Sequence, residues 1–236
     1  MSEAPAFPPL MQGHAVDAGI DPFEKACAMA ALGCDAGTIV YSAGVNRVAA
    51  ALVMAPEVPL EEAMAMLPTC GVGFQNALGA LAPPEVAVHL EWAGGLRVNG
   101  ASCGRMRAMA GSNDPKEMPG WLVVGFELPL VLLSAAPGDQ PDQTALYEEG
   151  CADVDPTQLL ESWARHTLVW INRWESEGSR PLHAEWRGLA HDMGEEVEIN
   201  GQTGTFLGVD ENFGMLLRSG ETTDLIPLSS VLESQS

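Results

Sequence analysis

The sequence predicts an α+β protein in which a mixed sheet flanked by helices precedes a small, separate β-domain. Three observations lead to this fold class. Short β-rich runs alternate with helical stretches over most of the chain, and after Gly188 the pattern changes to short strands separated by turns. In addition, 236 residues with 47% hydrophobic content can bury one sizeable core. We therefore expect two domains, residues 1–187 and 188–236.

The first predicted element is a helix with clear end signals. Asp21 can cap it, Pro22 suits its first position, and Glu24 follows three residues after the cap. Gly33 can adopt the positive φ that commonly ends a helix. These signals predict a helix over 22–32.

The rest of the larger domain contains strands, two helical regions and a loop. β-branched runs and turn signals such as Asn99-Gly100 predict strands over 38–42, 47–55, 86–92, 96–99, 105–110 and 121–133. Helical spacing predicts helices over 60–81, divided at Pro68, and from Asp155 to about 177, with a tryptophan stripe that we interpret as core. The loop over 135–150, rich in Pro, Gly and Asp, is either mobile or functional.

The second domain is predicted to be all β. Strands are expected over 195–199, 202–209, 215–218 and 222–226, joined by turns such as Asn200-Gly201. Nine acidic residues accompany the single Arg218 in this domain. A partner that docks on it should therefore be basic or neutral.

Charge and cysteine content narrow the function classes. With 11 basic and 32 acidic residues, the formal charge of −21 disfavours nucleic acid and anionic membrane surfaces as partners. Five cysteines without a CxxC pair indicate neither a disulfide framework nor a zinc ribbon, and the five histidines show no metal-ligand spacing. From this spacing we expect no metal site. No signal peptide or membrane helix is apparent, so we expect a cytoplasmic protein.

Two stretches of the chain resemble the biotin protein ligases, which share their catalytic fold with the lipoate ligases. Trp92-Ala-Gly-Gly-Leu-Arg-Val-Asn-Gly100, running on to Gly104, is similar to the family segment WPNDLxxxxxKxxGIL. The part over 159–217, with Gly208-Val209-Asp210, is similar to the family's last helix and its SH3-like cap. The resemblance implies a biotin/lipoate ligase-like domain over 1–187 and an SH3-like β-barrel over 188–236.

The resemblance fails where the family performs its chemistry. The family's GRGRxGR loop corresponds to Ser42-Ala-Gly-Val-Asn-Arg47, which has only one Gly and one Arg. The family's lysine falls near Ala101 or Ser102, and its Asn and Asp correspond to Gly94 and Gly95. A Ser hydroxyl cannot supply the positive charge that stabilises phosphoryl transfer. ATP and Mg²⁺ are therefore not expected, while biotin, lipoate or another small acid remains a candidate ligand.

The candidate site surrounds the matching segment, although its catalytic residues are unknown. The predicted ligand-binding residues are Asn46, Arg47, Trp92, Gly94, Gly95, Arg97, Asn99, Ser102, Gly104 and Arg105. For Asn46 and Arg47, a turn residue and a solvated charge are the simpler interpretation. Arg97, Arg105 and Arg107 either attract an anion or form the solvent-facing sides of a hairpin. Cys103 is a candidate nucleophile, and a buried, idle cysteine is the simpler interpretation.

The leading hypothesis is a biotin protein ligase-like protein that binds a small anionic ligand or a carrier domain without normal ATP-dependent biotin ligation. One alternative is an active acyl-transfer or protein ligase enzyme that uses a non-standard acid. Another is a non-catalytic protein-interaction module that works through the acidic second domain. The resemblance also leaves room for a homodimer formed through sheet edges.

Overall fold

The structure is a computed structural model that describes residues 4–132 and 142–233. Its larger unit is built on seven strands: β1 Gln12–Ala15, β2 Thr38–Ala43, β3 Arg47–Met54, β4 Val88–Leu90, β5 Gly95–Val98, β6 Ala101–Ala110 and β7 Leu122–Pro129. Their order in the sheet is β1-β2-β3-β7-β6-β5-β4. Only β1 and β2 pair in parallel, and the other neighbours are antiparallel. The sheet is mixed, as the sequence predicts.

Five helices cover the two faces of this sheet: α1 Pro22–Ala31, α2 Leu60–Ala63, α3 Met66–Leu81, α4 Pro156–Glu177 and α5 Ser179–Leu189. Alternate residues of β3 point to opposite faces. Val48, Ala50 and Leu52 join the large core beneath α3 and α4, whereas Ala51 and Val53 join a smaller core beneath α1. Because α1 has only ten residues, it covers only part of its face. No helix in the described parts of the chain is long and apolar enough to cross a membrane.

The second sheet consists of β8 Glu196–Ile199, β9 Gln202–Val209, β10 Met215–Ser219 and β11 Thr222–Ile226. It is an antiparallel meander in the order β11-β10-β9-β8, which fits an SH3-like fold. Phe213 attaches this sheet to the larger unit. Its carbonyl oxygen accepts a hydrogen bond of 2.7 Å from Nε1 of Trp92, and the edge of its ring packs against Trp186. The boundary between residues 187 and 188 stays a prediction.

Most of the predicted elements are confirmed where local signals were strong. Helix α1 begins at Pro22, and the side chain of Asp21 accepts a hydrogen bond from the Phe23 amide at its cap. Both Asn-Gly turns have two successive positive φ angles, 51° and 92° at residues 99 and 100 and 53° and 76° at residues 200 and 201. This is the backbone of the hairpin turn that the dipeptide predicts. The tryptophan stripe of α4 is core, since Trp163 is fully buried and Trp170 nearly so.

Two predicted element boundaries need correction, and two elements, β1 and α5, were not predicted. The 60–81 region breaks at residues 64 and 65 rather than at Pro68, because Pro68 lies in the first turn of α3, where an amide donor is not needed. The sheet gains β1, whose four exposed residues carry no alternating signal. Helix α5 follows α4 after Gly178, at a φ of 77°. Strand β6 begins at Ala101 instead of 105. Of the predicted loop over 135–150, residues 135–141 lie outside the described residues.

Candidate functional site

A cleft of about 1130 Å³ opens on the α1 face of the sheet, beside the part that α1 covers. Its floor is formed by the side chains of Ser42, Arg47, Arg105 and Glu127, which alternation along their strands places on this face. Its walls are formed by residues 18–19, the turn over 44–46, residues 129, 131 and 132, and residues 143–144. We call this feature the floor cleft.

The floor of the cleft carries charges of alternating sign. Arg105 is the cross-strand partner of Glu127 on β7 and of Gly95 on β5. Arg47 of β3 donates a hydrogen bond of 2.9 Å to Oε1 of Glu127 from the side opposite to Arg105. Arg105 is exposed and forms no ion pair with any residue that the structure describes. The floor cleft therefore contains one guanidinium that is available to a ligand.

Gly94 has a structural reason to be a glycine, whereas Gly95 adjoins a flexible carboxylate. Gly94 has a φ of 98°, and a Cβ atom there would lie 2.7 Å from the carbonyl oxygen of Met106. A Cβ atom on Gly95 would overlap Oε2 of Glu91. The Glu91 carboxylate thus lies where a side chain at position 95 would begin, and it lines the floor cleft. A carboxylate is present in this region although residue 95 does not supply one.

Ser102 and Gly104 of β6 also line the floor cleft, and both are positioned by their backbones. The Ser102 amide donates to the carbonyl oxygen of Asp142, and its carbonyl oxygen accepts from the Thr144 amide, both at 2.8 Å. These bonds hold residues 142–144 against the start of β6. Gly104 has a φ of 114°, and a Cβ atom there would overlap the carbonyl oxygen of Glu127. Ser102 and Gly104 therefore shape the floor cleft with little side-chain bulk.

The structure brings six of the predicted ligand-binding residues together around the floor cleft: Asn46, Arg47, Gly95, Ser102, Gly104 and Arg105. Of these, only Arg47 and Arg105 carry charge. Asn46 lies in the β2–β3 turn, where its carbonyl oxygen accepts from the Leu130 amide at 2.8 Å. The predicted binding role of this group stays a proposal.

Four other predicted residues lie outside the floor cleft and have structural partners. Trp92 is buried and donates a hydrogen bond to Phe213, as described above. Trp92 and Gly94 both line a small void beneath the second domain. Arg97 donates 2.6 Å from Nε to Oε1 of Glu91 and 2.8 Å from Nη1 to the carbonyl oxygen of Gly100. Asn99 forms the β5–β6 turn, accepting from the Ala87 amide at 3.0 Å and donating 2.9 Å to Glu149.

Cys103 does not face the floor cleft. Its side chain is fully buried in the core of the larger domain. Burial, and to a smaller extent the charges of Glu149 and Cys151, raise the pKa of its thiol to about 12. A thiolate nucleophile at this position is therefore not supported.

The three arginines that the sequence groups together, Arg97, Arg105 and Arg107, do not form one anion-binding cluster in the structure. Arg107 lies two residues after Arg105 on the same face, but three carboxylates surround it. Both oxygens of Glu233 accept from its guanidinium at 2.7 Å, and Asp21 and Glu24 accept at 2.5 and 2.7 Å. Arg107 joins α1 and the end of the described chain to β6, and four of its five N–H donors are already engaged by these carboxylates.

Two cleft residues were missed at the level of the sequence, namely Glu91 and Glu127. In the sequence, Glu127 is a single charge within the predicted apolar strand over 121–133, and Glu91 has no signal beyond its position before Trp92. The strand register would have placed Glu127 beside Arg105, but one sequence does not reveal register across twenty residues. In residues 4–132 and 142–233, no three His, Cys, Asp or Glu side chains are grouped so as to hold a metal ion.

Comparisons with known proteins agree with this architecture. The model of the Biotin/lipoate A/B protein ligase family matches residues 7–188, and a domain of unknown function, DUF4444, matches residues 193–234. No curated protein matches the chain.

Solved structures extend this similarity over both domains. A biotin protein ligase-like protein of unknown function from Silicibacter sp. TM1040 is 62% identical, with 98% of this chain and 100% of that chain covered and a TM-score of 0.93. The biotin protein ligase from Aquifex aeolicus in complex with biotin and ATP is 16% identical, with 92% and 95% covered and a TM-score of 0.68. The Leishmania major biotin protein ligase with biotinyl-5-AMP is 14% identical, with 93% and 99% covered and a TM-score of 0.58. Because the family model spans most of its length, this chain belongs to the biotin/lipoate A/B protein ligase family.

Proposed function

We propose that this chain is a biotin protein ligase-like protein that binds a small anionic ligand, free or carried by a protein domain, in the floor cleft. It does not carry out normal ATP-dependent biotin ligation. All five cysteines are free, which fits the cytoplasmic location that we propose for it.

The observation that carries the binding proposal is the state of Arg105. A guanidinium binds a carboxylate through two parallel hydrogen bonds when no other acid competes for its donors. Among the described residues, Arg105 is exposed in the floor cleft without an ion-pair partner, whereas Arg47 is engaged by Glu127. Ser102 and Thr144 add polar groups to the cleft lining. One carboxylate is therefore well matched to this cleft.

The charges of the floor cleft do not fit a triphosphate. Its described lining contains two arginines and two glutamates and no lysine. A nucleotide would bring several negative charges against Glu91 and Glu127 with only Arg105 free to compensate, and buried like charges are costly. This balance supports the absence of adenylation, because phosphoryl transfer needs positive charge at the phosphates.

The two alternative functions have less support. An acyl-transfer enzyme that uses Cys103 would need a thiol that reaches the cleft, and this thiol is buried. An interaction module is compatible with the acidic second domain, but an open cleft of about 1130 Å³ in the first domain would then have no use. A small acid is the ligand class that the cleft fits best.

Isothermal titration calorimetry with biotin, lipoate and octanoate tests this proposal. At least one acid should bind, and Arg105→Gln should weaken its binding about tenfold or more, since a hydrogen bond to a charged group contributes roughly 1.5–3 kcal/mol. Arg165→Gln is a matched control, because Arg165 is exposed on α4 and its carboxylate partner Glu161 is 3.7 Å away. Equal affinities for the wild type and Arg105→Gln would contradict the proposal, as would the failure of every acid to bind.

A further inference from the structure

The floor cleft carries acids as well as bases, and their arrangement limits which small acids fit. Gly95, Arg105 and Glu127 are cross-strand neighbours on β5, β6 and β7. The Glu91 carboxylate lies over Gly95, so that Arg105 has a carboxylate on each side. Adjacent strands are about 4.8 Å apart, and directly paired side chains have Cβ atoms about 5 Å apart. Arg105 is thus the centre of a row with negative, positive and negative charge.

Neither carboxylate forms an ion pair with Arg105. Oε1 of Glu91 accepts from Arg97 at 2.6 Å, and Oε1 of Glu127 accepts from Arg47 at 2.9 Å. The second oxygen of each group accepts no hydrogen bond from the described residues. Both side chains are about one-third exposed, at 34%, and both line the floor cleft. Each acid is therefore held from outside the row and keeps one oxygen available to a ligand.

This arrangement should bind a zwitterion more tightly than a simple monoanion, and a simple monoanion more tightly than a polyanion. A carboxylate bound to Arg105 would lie near Glu91 and Glu127, and two neighbouring acids raise the electrostatic cost of its charge. An ammonium group next to the ligand carboxylate would relieve this cost and would donate to the available oxygen of a glutamate. The two charges of the ligand must be close together, because Arg105 and its flanking acids are on adjacent strands.

We propose that the floor cleft recognises the head group of an α-amino acid, with the carboxylate on Arg105 and the α-ammonium on Glu127 or Glu91. This inference rests on the proposed binding of a small acid and specifies the class of acid. It assigns both glutamates as residues that determine specificity. The whole cleft has a volume of about 1130 Å³, so that space remains beside the head group for a side chain or an acyl extension of the amino acid.

Three acids with eight carbons test the inference by calorimetry: octanoate, 2-aminooctanoate and 8-aminooctanoate. The wild type should bind 2-aminooctanoate about two- to fivefold more tightly than octanoate, as expected for a partly exposed ion pair. The amine of 8-aminooctanoate is too far from its carboxylate to reach a flanking acid, so this compound should gain nothing.

Glu127→Gln and Glu91→Gln locate the ammonium group. In at least one of these variants the preference for 2-aminooctanoate over octanoate should fall to nearly one, because the affinity for 2-aminooctanoate falls more than the affinity for octanoate. Glu185→Gln is the matched control, since Glu185 is exposed on α5 and outside the cleft, and it should keep the full preference.

The outcomes separate this inference from the proposed function. If octanoate binds through Arg105 and 2-aminooctanoate binds no better, the inference is wrong and the proposed function stands. The inference is also wrong if the preference survives both glutamate substitutions, or if 8-aminooctanoate gains as much as 2-aminooctanoate. If 2-aminooctanoate does not bind, the inference fails, and the proposed function fails with it only if biotin, lipoate and octanoate also do not bind.

Discussion

Arg105 and Arg107 lie two residues apart on β6 and point to the same face of the sheet, yet their surroundings are opposite. Arg107 is 10% exposed, donates to three carboxylates and lies 4.2 Å above the centre of the Phe23 ring. Arg105 is exposed in an open cleft and has no ion-pair partner among the described residues. The two residues share their type, their strand and the face of the sheet, so the difference arises from what covers each residue.

The covering elements explain this difference. Helix α1 begins at Pro22 beside Arg107 and brings Asp21 and Glu24 with it. The amide of Glu233 donates 2.9 Å to the carbonyl oxygen of Ala108, which fixes the end of the described chain over the same part of β6. Neither element extends to Arg105. One arginine is therefore structural, and the other is available for binding.

The largest expected effect is on stability, from Arg107→Gln. Removal of this guanidinium leaves three neighbouring carboxylates unpaired, and breaking a buried ion network costs roughly 3–5 kcal/mol. Because its carboxylates are one-third to one-half exposed, we expect the lower end, about 3 kcal/mol. Urea denaturation followed by tryptophan fluorescence measures the loss. Arg105→Gln is the control, with a change within about 0.5 kcal/mol. Similar losses for the two variants would refute the comparison.

A smaller loss is expected for Trp92→Phe. The substitution removes the bond from the indole Nε1 to the carbonyl oxygen of Phe213 and leaves that acceptor unsatisfied at a buried contact between the domains. The expected loss in the free energy of unfolding is about 1–2 kcal/mol by the same denaturation measurement. The affinity for octanoate should not change, because Trp92 lies outside the floor cleft. A selective loss of binding with unchanged stability would make Trp92 a ligand contact after all.

The smallest effect is expected at Cys103, which should be inert. With a pKa raised to about 12, its thiol is almost entirely protonated at pH 8, and its side chain is buried. Iodoacetamide followed by peptide mass spectrometry should modify the partly exposed Cys34 and leave Cys103 unmodified until urea is added. Rapid modification of Cys103 in the native protein would reopen its role as a nucleophile.

The same pKa shift has a defined sign for stability. The native state holds the Cys103 proton more tightly than the unfolded state, in which the thiol titrates near 9. Below about pH 9 this difference has no effect on the free energy of unfolding. As the pH rises from about 9 towards 12, the unfolded state loses its proton first, and the free energy of unfolding decreases.

The fold could be predicted where a few neighbouring residues determine the structure. The cap at Asp21 and the Asn-Gly turns act within four residues, and both are confirmed. Strand β1 was missed because its pattern is that of an exposed edge, without alternation. The break in the 60–81 region was misplaced because a proline is tolerated in the first turn of a helix.

The site was harder to predict because its contacts join distant parts of the chain. Trp92 and Phe213 are 121 positions apart, so no local pattern predicts that the indole bonds across the interface between the domains. Arg97 and Arg105 look alike in the sequence, but Glu91 folds back onto Arg97 and leaves Arg105 open. The row of Glu91, Arg105 and Glu127 becomes visible only once the register of β5, β6 and β7 is known.

The central claim is that the floor cleft binds a small acid through Arg105 without activating it by ATP. Exchange of labelled pyrophosphate into ATP tests this claim most directly. It is measured on the wild type with biotin, and with each other acid that calorimetry shows to bind, at saturating concentrations of the acid. The account predicts binding of an acid and no exchange above a blank without protein, because the cleft offers only one free cation among its described residues. Exchange at the turnover of an ordinary biotin ligase would contradict it.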